Sequence, residues 1–358
     1  MTNKFIAILL ALVILASLAA CGGKNPATET DLPVEAPSTD SDLSSTPTES
    51  EEPVQSEVPQ PSADPINIMV LNGTTGFGMA KLMHDSAADE SDLGYKKYNF
   101  SVETDASNIT AALINGSVDI AALPTNAASV VYNKTGGEVQ LLALNTLGVL
   151  YVVANSEKES ITSLSDLEGK TVYAPAQNPS FIMQYICSNA GVNVTIDNSY
   201  AQPADLRTAV ATGEVSLAVL PEPMVTIACA ANDKLSVALD LTDEWKKIND
   251  TELVQGCLVV RREFAESHPG GLAAFLDKYE SSINYLSEDT AAAAQMIVDA
   301  GIFAQAPVAQ KAIPNCNLCF ISGLDMIAPM EGFLEAMFSI APASIGGAVP
   351  SDDFYYVG

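Results

Sequence analysis

Basic and aromatic chemistry is scarce in this chain. Arginine occurs three times in 358 residues, histidine twice and tryptophan once, and 16 lysines and arginines face 44 aspartates and glutamates for a net charge of -28. A chain this acidic is repelled by phosphate backbones and anionic lipid heads, which excludes nucleic acid as a partner. His84 and His268 are the only imidazoles available as neutral-pH bases or ligands, and their contexts, a helix end and a residue beside Pro269, read as surface or capping positions. Charged residues reach only 17% while hydrophobic residues reach 48%, a balance that excludes wholesale disorder. Long apolar runs are missing beyond the N-terminus, so this is no multispan membrane protein. The length suits about two compact units with ample core.

Lys4, the apolar run 5–16 and Leu18-Ala19-Ala20-Cys21 have the charged start, apolar middle and small-residue cleavage site of an export signal. Leu-Ala-Ala-Cys resembles the bacterial lipoprotein processing box, which implies a signal peptide over 1–20 and lipidation of Cys21 on sulfur. Two or more acyl chains would anchor the protein to the extracytoplasmic face of the cell membrane without spanning it. Residues 24–65 are rich in Pro, Ser, Thr, Glu and Asp, with ten acidic residues against Lys24 alone, so 21–65 reads as a lipid anchor plus an extended acidic tether.

The folded part opens with the branched strand 66–71. Asn72-Gly73-Thr74-Thr75-Gly76-Phe77-Gly78 then leads into an apolar helix, a strand, polar turn and helix start whose free N–H groups suit an anion or carbonyl. The spacing is neither the dinucleotide glycine fingerprint nor a phosphate loop. The grammar recurs: a helix over 107–115, a strand over 118–123 and the polar start Pro124-Thr125-Asn126, then strands over 139–144 and 148–154. A second round gives a strand ending at Ala174, the loop Pro175-Ala176-Gln177-Asn178-Pro179-Ser180 before a helix, a helix over 205–212, a strand over 215–220 and Pro221-Glu222-Pro223. Alternating strands and helices predict α/β architecture with mainly parallel sheets whose strand ends gather polar loops on one rim.

Ala111-Ala112-Leu113-Ile114-Asn115-Gly116-Ser117-Val118-Asp119-Ile120-Ala121, Leu167-Glu168-Gly169-Lys170-Thr171-Val172, Val210-Ala211-Thr212-Gly213-Glu214-Val215 and Pro221-Glu222-Pro223 resemble the solute-binding lipoproteins of ABC importers, in the nitrate, sulfonate and thiamine-pyrimidine branch. The resemblance implies the type II, two-lobed periplasmic-binding fold with two hinge crossings, here expected near 148–154 and 253–260. Lobe I would be 66–150 with 258–358 and lobe II 151–257. It also implies a monomer that captures a small polar or weakly anionic solute between the lobes and delivers it to ABC permease subunits; with no nucleophile and base pair or metal cluster at the rim, and with export, no cofactor, metal or enzymatic activity is expected.

On that reading the rim residues expected to bind solute are Asn72, Thr74, Thr75, Phe77, Thr125, Asn126, Asn145 and Thr146 from the first lobe, with Gln177, Asn178, Ser180 and Glu222 from the second. Each also has an ordinary role as cap or turn residue; Phe77 could stack on a ring or simply plug the core, and Glu222 could receive an amine or ring N–H. An enzyme related to thiamine-pyrimidine synthases shares the architecture. Asn315-Cys316-Asn317-Leu318-Cys319 departs from their cysteine-rich segment and supplies two ligands where a structural zinc site uses four. Cys316 and Cys319 suit either a local disulfide or two thiols, while Cys187, Cys229 and Cys257 read as small buried thiols. A non-transport surface lipoprotein is the third reading, and it would have no closing cleft.

Overall fold

The structure, a computed structural model, describes residues 65–93 and 96–358; the expected export signal, Cys21 and acidic tether lie outside the described residues. The chain begins with β1 (Ile66–Leu71), the short α1 (Thr74–Phe77), α2 (Ala80–Leu93), β2 (Tyr98–Glu103), α3 (Ala106–Asn115), β3 (Ile120–Pro124), α4 (Thr125–Thr135) and β4 (Val139–Leu147). It continues through β5 (Leu150–Asn155), β6 (Thr171–Tyr173), α5 (Asn178–Ala190), β7 (Thr195–Asp197), α6 (Pro203–Ala211), β8 (Leu217–Pro221), α7 (Met224–Ala231), β9 (Leu235–Asp240) and α8 (Leu241–Lys246). The last third holds β10 (Val254–Arg261), α9 (Arg262–Ser267), α10 (Pro269–Glu288), α11 (Thr290–Asp299), α12 (Ala306–Ala312), β11 (Leu318–Ser322) and α13 (Ile327–Ile340).

The strands form two sheets, ordered β11-β4-β10-β3-β1-β2 and β7-β6-β8-β5-β9. The chain leaves the six-stranded sheet after Leu147, enters the five-stranded one at Leu150 and re-enters the first at Val254. Residues 254–257, expected in the second lobe, therefore lie in β10 of the first sheet. Both sheets are mixed rather than mainly parallel. β1 pairs in parallel with β2 and β3, and β6 with β7 and β8, as the strand–helix grammar requires. β10 runs antiparallel to β3 and β4, β11 to β4, and β5 to β8 and β9, because a strand that brings the chain in from the other sheet needs no right-handed crossover helix.

Side chains alternate strictly across the central strands. Leu150 and Val152 of β5 face one core while Tyr151 and Val153 face another, and Leu217 and Val219 of β8 oppose Ala218 and Leu220. Strands apolar on both faces are sandwiched by helices: α2, α10, α11 and α12 cover one face of the first sheet and α3, α4 and α13 the other, while α5 and α8 cover one face of the second and α6 and α7 the other. One of these cores runs through both sheets. Trp245 of α8 is fully buried between Tyr185 of α5, 5.2 Å away by ring centroids, and Phe333 of α13, 6.4 Å away.

Helix boundaries have local causes. Asp105 caps α3 by accepting from the Ser107 N–H at 2.8 Å, and Gly116 ends it at φ 76. At the first crossing, Gly148 has no room for a side chain: a Cβ there would collide with Thr242 Oγ1 and press on Leu253. Gly148→Ala should therefore destabilise the protein by about 1–3 kcal/mol, measured by chemical denaturation. An unchanged midpoint would show that the crossing yields without strain.

Candidate functional site

Because the central strands are buried on both faces, polar groups collect where strands end. β1 ends in the loop that starts α1, β6 in the loop that starts α5, and β8 in Pro221-Glu222-Pro223 ahead of α7. The two sheets meet at these ends. Thr74 Oγ1 donates to the Glu222 carbonyl at 2.7 Å, a buried bond between the loop after β1 and the loop after β8. Alongside it, Tyr151 Oη of β5 donates to the Asn315 carbonyl at 2.9 Å, and Asn315 Nδ2 lies 3.4 Å from Glu222 Oε1. Asn317 donates to the Gly148 carbonyl and Gln255 accepts from the Val149 N–H, so both faces of the crossing are pinned by amides.

Glu222 is the ionisable group at this meeting point and is only 4% exposed. Its Oε2 accepts from the Thr226 N–H at 3.1 Å and its Oε1 from the Thr226 hydroxyl at 3.0 Å, which fixes the carboxylate on the first turn of α7. Burial pushes its pKa above the ordinary range, and the Thr226 and Asn315 donors pull it only part of the way back. The Cys316 thiol packs beside Thr74 and Glu222 and is itself pushed far up by burial. The arginines lie elsewhere: Arg261 pairs with Asp119 and Glu263, Arg262 with Asp353, and Arg207 donates to Thr208 on α6.

The expected rim residues divide by what already holds them. Asn145 is 1% exposed and donates to the Thr75 carbonyl and to Tyr279 Oη, both at 3.1 Å, while Thr146 donates to Asn145 Oδ1. Thr125, wholly buried, donates to the Val254 carbonyl, and Asn126 donates to the Ser344 carbonyl. Ser180 donates to the Pro175 carbonyl and accepts from Asn198. Phe77 is fully buried, edge-on to Phe303 at 6.2 Å, so it plugs the core and presents no face to a solute. Of its two expected roles the structure shows the core plug, packed against Phe303 in the loop after α11.

Asn72, Thr74, Thr75, Gln177, Asn178 and Glu222 remain as rim groups. The N–H groups of Thr74 and Thr75 open a helical turn and have no intrahelical acceptor. Gln177 sits at φ 71 and ψ -136, a region costly for a residue with a side chain, immediately before α5. Asn178 Oδ1 is buried without a hydrogen-bond partner among the described residues. The sequence reading passed over Tyr151, Thr226, Tyr279 and Asn315. A lone tyrosine in the apolar run of β5 was the available signal for the first and the one-turn spacing from Glu222 for Thr226; Tyr279 and Asn315 speak only through contacts distant in sequence. All five cysteines from Cys187 onward are free thiols, which settles the Cys316–Cys319 question in favour of two thiols. His84 is exposed beside Asp85, and His268 stacks on Phe264 at 4.8 Å at the start of α10.

The sequence profile described as ABC transporter, phosphonate, periplasmic substrate-binding protein matches residues 90–306. No curated protein matches the chain. Among solved structures, an ABC transporter protein from Parabacteroides distasonis superposes with a TM-score of 0.69 at 23% identity, covering 82% of this chain and 98% of its own. The periplasmic aliphatic sulphonate binding protein SsuA from Escherichia coli gives 0.64 at 14% identity, covering 81% and 91%. The alkanesulfonate-binding protein SsuA from Xanthomonas axonopodis pv. citri, bound to MOPS, gives 0.58 at 13%, covering 78% and 96%. These likenesses establish the two-sheet periplasmic-binding fold.

Removing the buried charge should be tolerated. Glu222 has its pKa raised in the folded state, so its ionisation costs no stability well below the ordinary carboxylate value and the full amount once pH has passed the raised one. Glu222→Gln should therefore leave the solute-free protein at least as stable as the parent at neutral pH, with the advantage fading as pH falls through that window. Thermal melts between acid and neutral pH check this; a variant melting well below the parent at neutral pH would mean that the ionised carboxylate holds the rims together.

Proposed function

This chain belongs to the family of periplasmic substrate-binding proteins of phosphonate ABC transporters, and we propose that it is a membrane-anchored member that captures a small polar organic solute between its two lobes and hands it to permease subunits. The observation that carries this reading is the Thr74–Glu222 bond, which joins two strand-end rims from different sheets beside a buried carboxylate. On this reading lobe I comprises the elements around the six-stranded sheet, lobe II those around the five-stranded sheet, and the hinge is the pair of crossings at 147–150 and 246–254. Solute holds the lobes closed because it touches both only in the closed state. The cradle is Asn72, Thr74, Thr75, Gln177, Asn178 and Glu222. The family serves transport, and we read this chain as binding without turnover.

The test is binding rather than catalysis. Thr75→Ala and Asn178→Ala should each weaken solute binding by about 0.5–3 kcal/mol in titration calorimetry while changing folding stability less. If both bind as the parent does and substitutions at the opposite strand ends abolish binding, the cradle is on the other rim.

Anchoring rests on Leu-Ala-Ala-Cys. Cys21→Ser should abolish metabolic labelling with a fatty-acid analogue and release the protein from the membrane fraction, and labelling unchanged in that variant would remove Cys21 as the anchor.

A further inference from the structure

We propose that the solute carries a protonated amine that docks on the Glu222 carboxylate, so that this chain selects amine-bearing, cationic or zwitterionic solutes over simple oxyanions. This rests on the solute-binding reading above and names the chemistry of its solute.

The carboxylate is positioned but not neutralised. Two of its bonds come from Thr226, at 3.1 and 3.0 Å, and the third, from Asn315 at 3.4 Å, is at the weak limit of hydrogen-bond length. An ionised carboxylate offers about four acceptor sites, so capacity remains for a further donor. A buried charge without a counter-charge is costly, and a cation brought in by solute is the partner that reverses the cost. The neighbouring groups also accept. Tyr151 Oη directs its proton to the Asn315 carbonyl, which leaves its lone pairs for an N–H donor.

A second, independent acceptor stands on the same rim. Asn178 begins α5 after β6, the parallel neighbour of β8, and is 7% exposed with its Oδ1 unpartnered among the described residues. An oxyanion beside Glu222 would meet like charge instead. The arginines are engaged by Asp119, Glu263, Asp353 and Thr208, and Lys81, Lys170, Lys234, Lys246, Lys247 and Lys278 are paired with carboxylates on other elements. The net charge of -28 also draws cations toward the protein.

The test is titration calorimetry on the full chain in detergent with three sets of probes. Ethanolamine, β-alanine and 1,4-diaminobutane form the amine set; ethylene glycol, 3-hydroxypropionate and 1,4-butanediol replace each amine by hydroxyl; methylphosphonate, ethanesulfonate and nitrate are the oxyanions. At least one amine should bind about tenfold or more tighter than its hydroxyl counterpart, and Glu222→Gln should remove about that factor. Far-UV circular dichroism of the variant should match the parent. Should that variant fail to fold, Thr226→Val, which removes the hydroxyl bond to Oε1 and leaves the backbone bond to Oε2, should change amine binding selectively; equal changes for amine and hydroxyl probes would overturn the proposal. Oxyanions that bind parent and Glu222→Gln alike, with no preference for amines, would overturn it while leaving the solute-binding reading intact. If no probe in any set binds, the amine assignment fails and the solute-binding reading loses support with it.

Discussion

A strand covered by helices on both faces has nowhere to carry a polar side chain except its ends. In this protein that constraint falls on β3, β4, β5, β8 and β10, whose side chains are almost wholly buried. Their unpaired backbone groups and the polar residues that answer them are therefore driven to the rims. Part of that polar population serves the rim itself: Thr125 holds Val254, Asn145 holds Thr75 and Tyr279, and Gln255 holds Val149. The remainder, with Glu222 at its centre, has capacity beyond what the fold consumes.

The same burial ties the two sheets together. The core containing Tyr185, Trp245 and Phe333 passes from one sheet to the other, and α13 from the end of the chain packs on α5 in the middle. Trp245 also donates its indole N–H to the Thr251 carbonyl at 2.8 Å, which fixes the segment leading into the return crossing. On the proposed two-lobe reading, relative motion of the lobes would bend the two crossings and slide this apolar contact. Gly148 and Gly256, both crowded by the side chains around the crossings, allow the close backbone approach that makes such a hinge compact.

Much of this was legible in the sequence wherever a local signal existed. The strand–glycine–helix grammar, Gly116 closing α3, and Pro221-Glu222-Pro223 ahead of α7 each declare themselves within a few residues. What the sequence concealed is non-local. Nothing in Leu235–Asp240 distinguishes an edge strand from the helix before it, and only pairing with β5 makes β9. The antiparallel direction of β10 follows from where the chain re-enters the first sheet, which no window of residues encodes. Phe77 was ambiguous for the same reason: a ring between glycines suits a stacking face or a core plug, and the packing that decides, against Phe303 in the loop after α11, comes from more than two hundred residues later. Thr125, Asn126, Asn145 and Thr146 are the right residue types at strand ends, and only their partners show that they brace the rim.

Glu222 divides two tasks between its backbone and its side chain. Its carbonyl, which is neutral, accepts the Thr74 hydroxyl across the rims; its carboxylate points its chemistry toward Thr226 and Asn315. A neutral hydrogen bond of this kind contributes about 0.5–1.5 kcal/mol net, which biases an equilibrium between open and closed lobes without fixing it. Shifting such an equilibrium from a minor to a dominant closed state takes several kcal/mol of differential binding. On the proposed reading that larger share comes from groups whose partners arrive with solute, the candidates being the buried Glu222 carboxylate and Asn178 Oδ1, which has no partner among the described residues. In that proposal the Thr74–Glu222 bond sets where the rims meet, and the unsatisfied acceptors set which solute is able to keep them there.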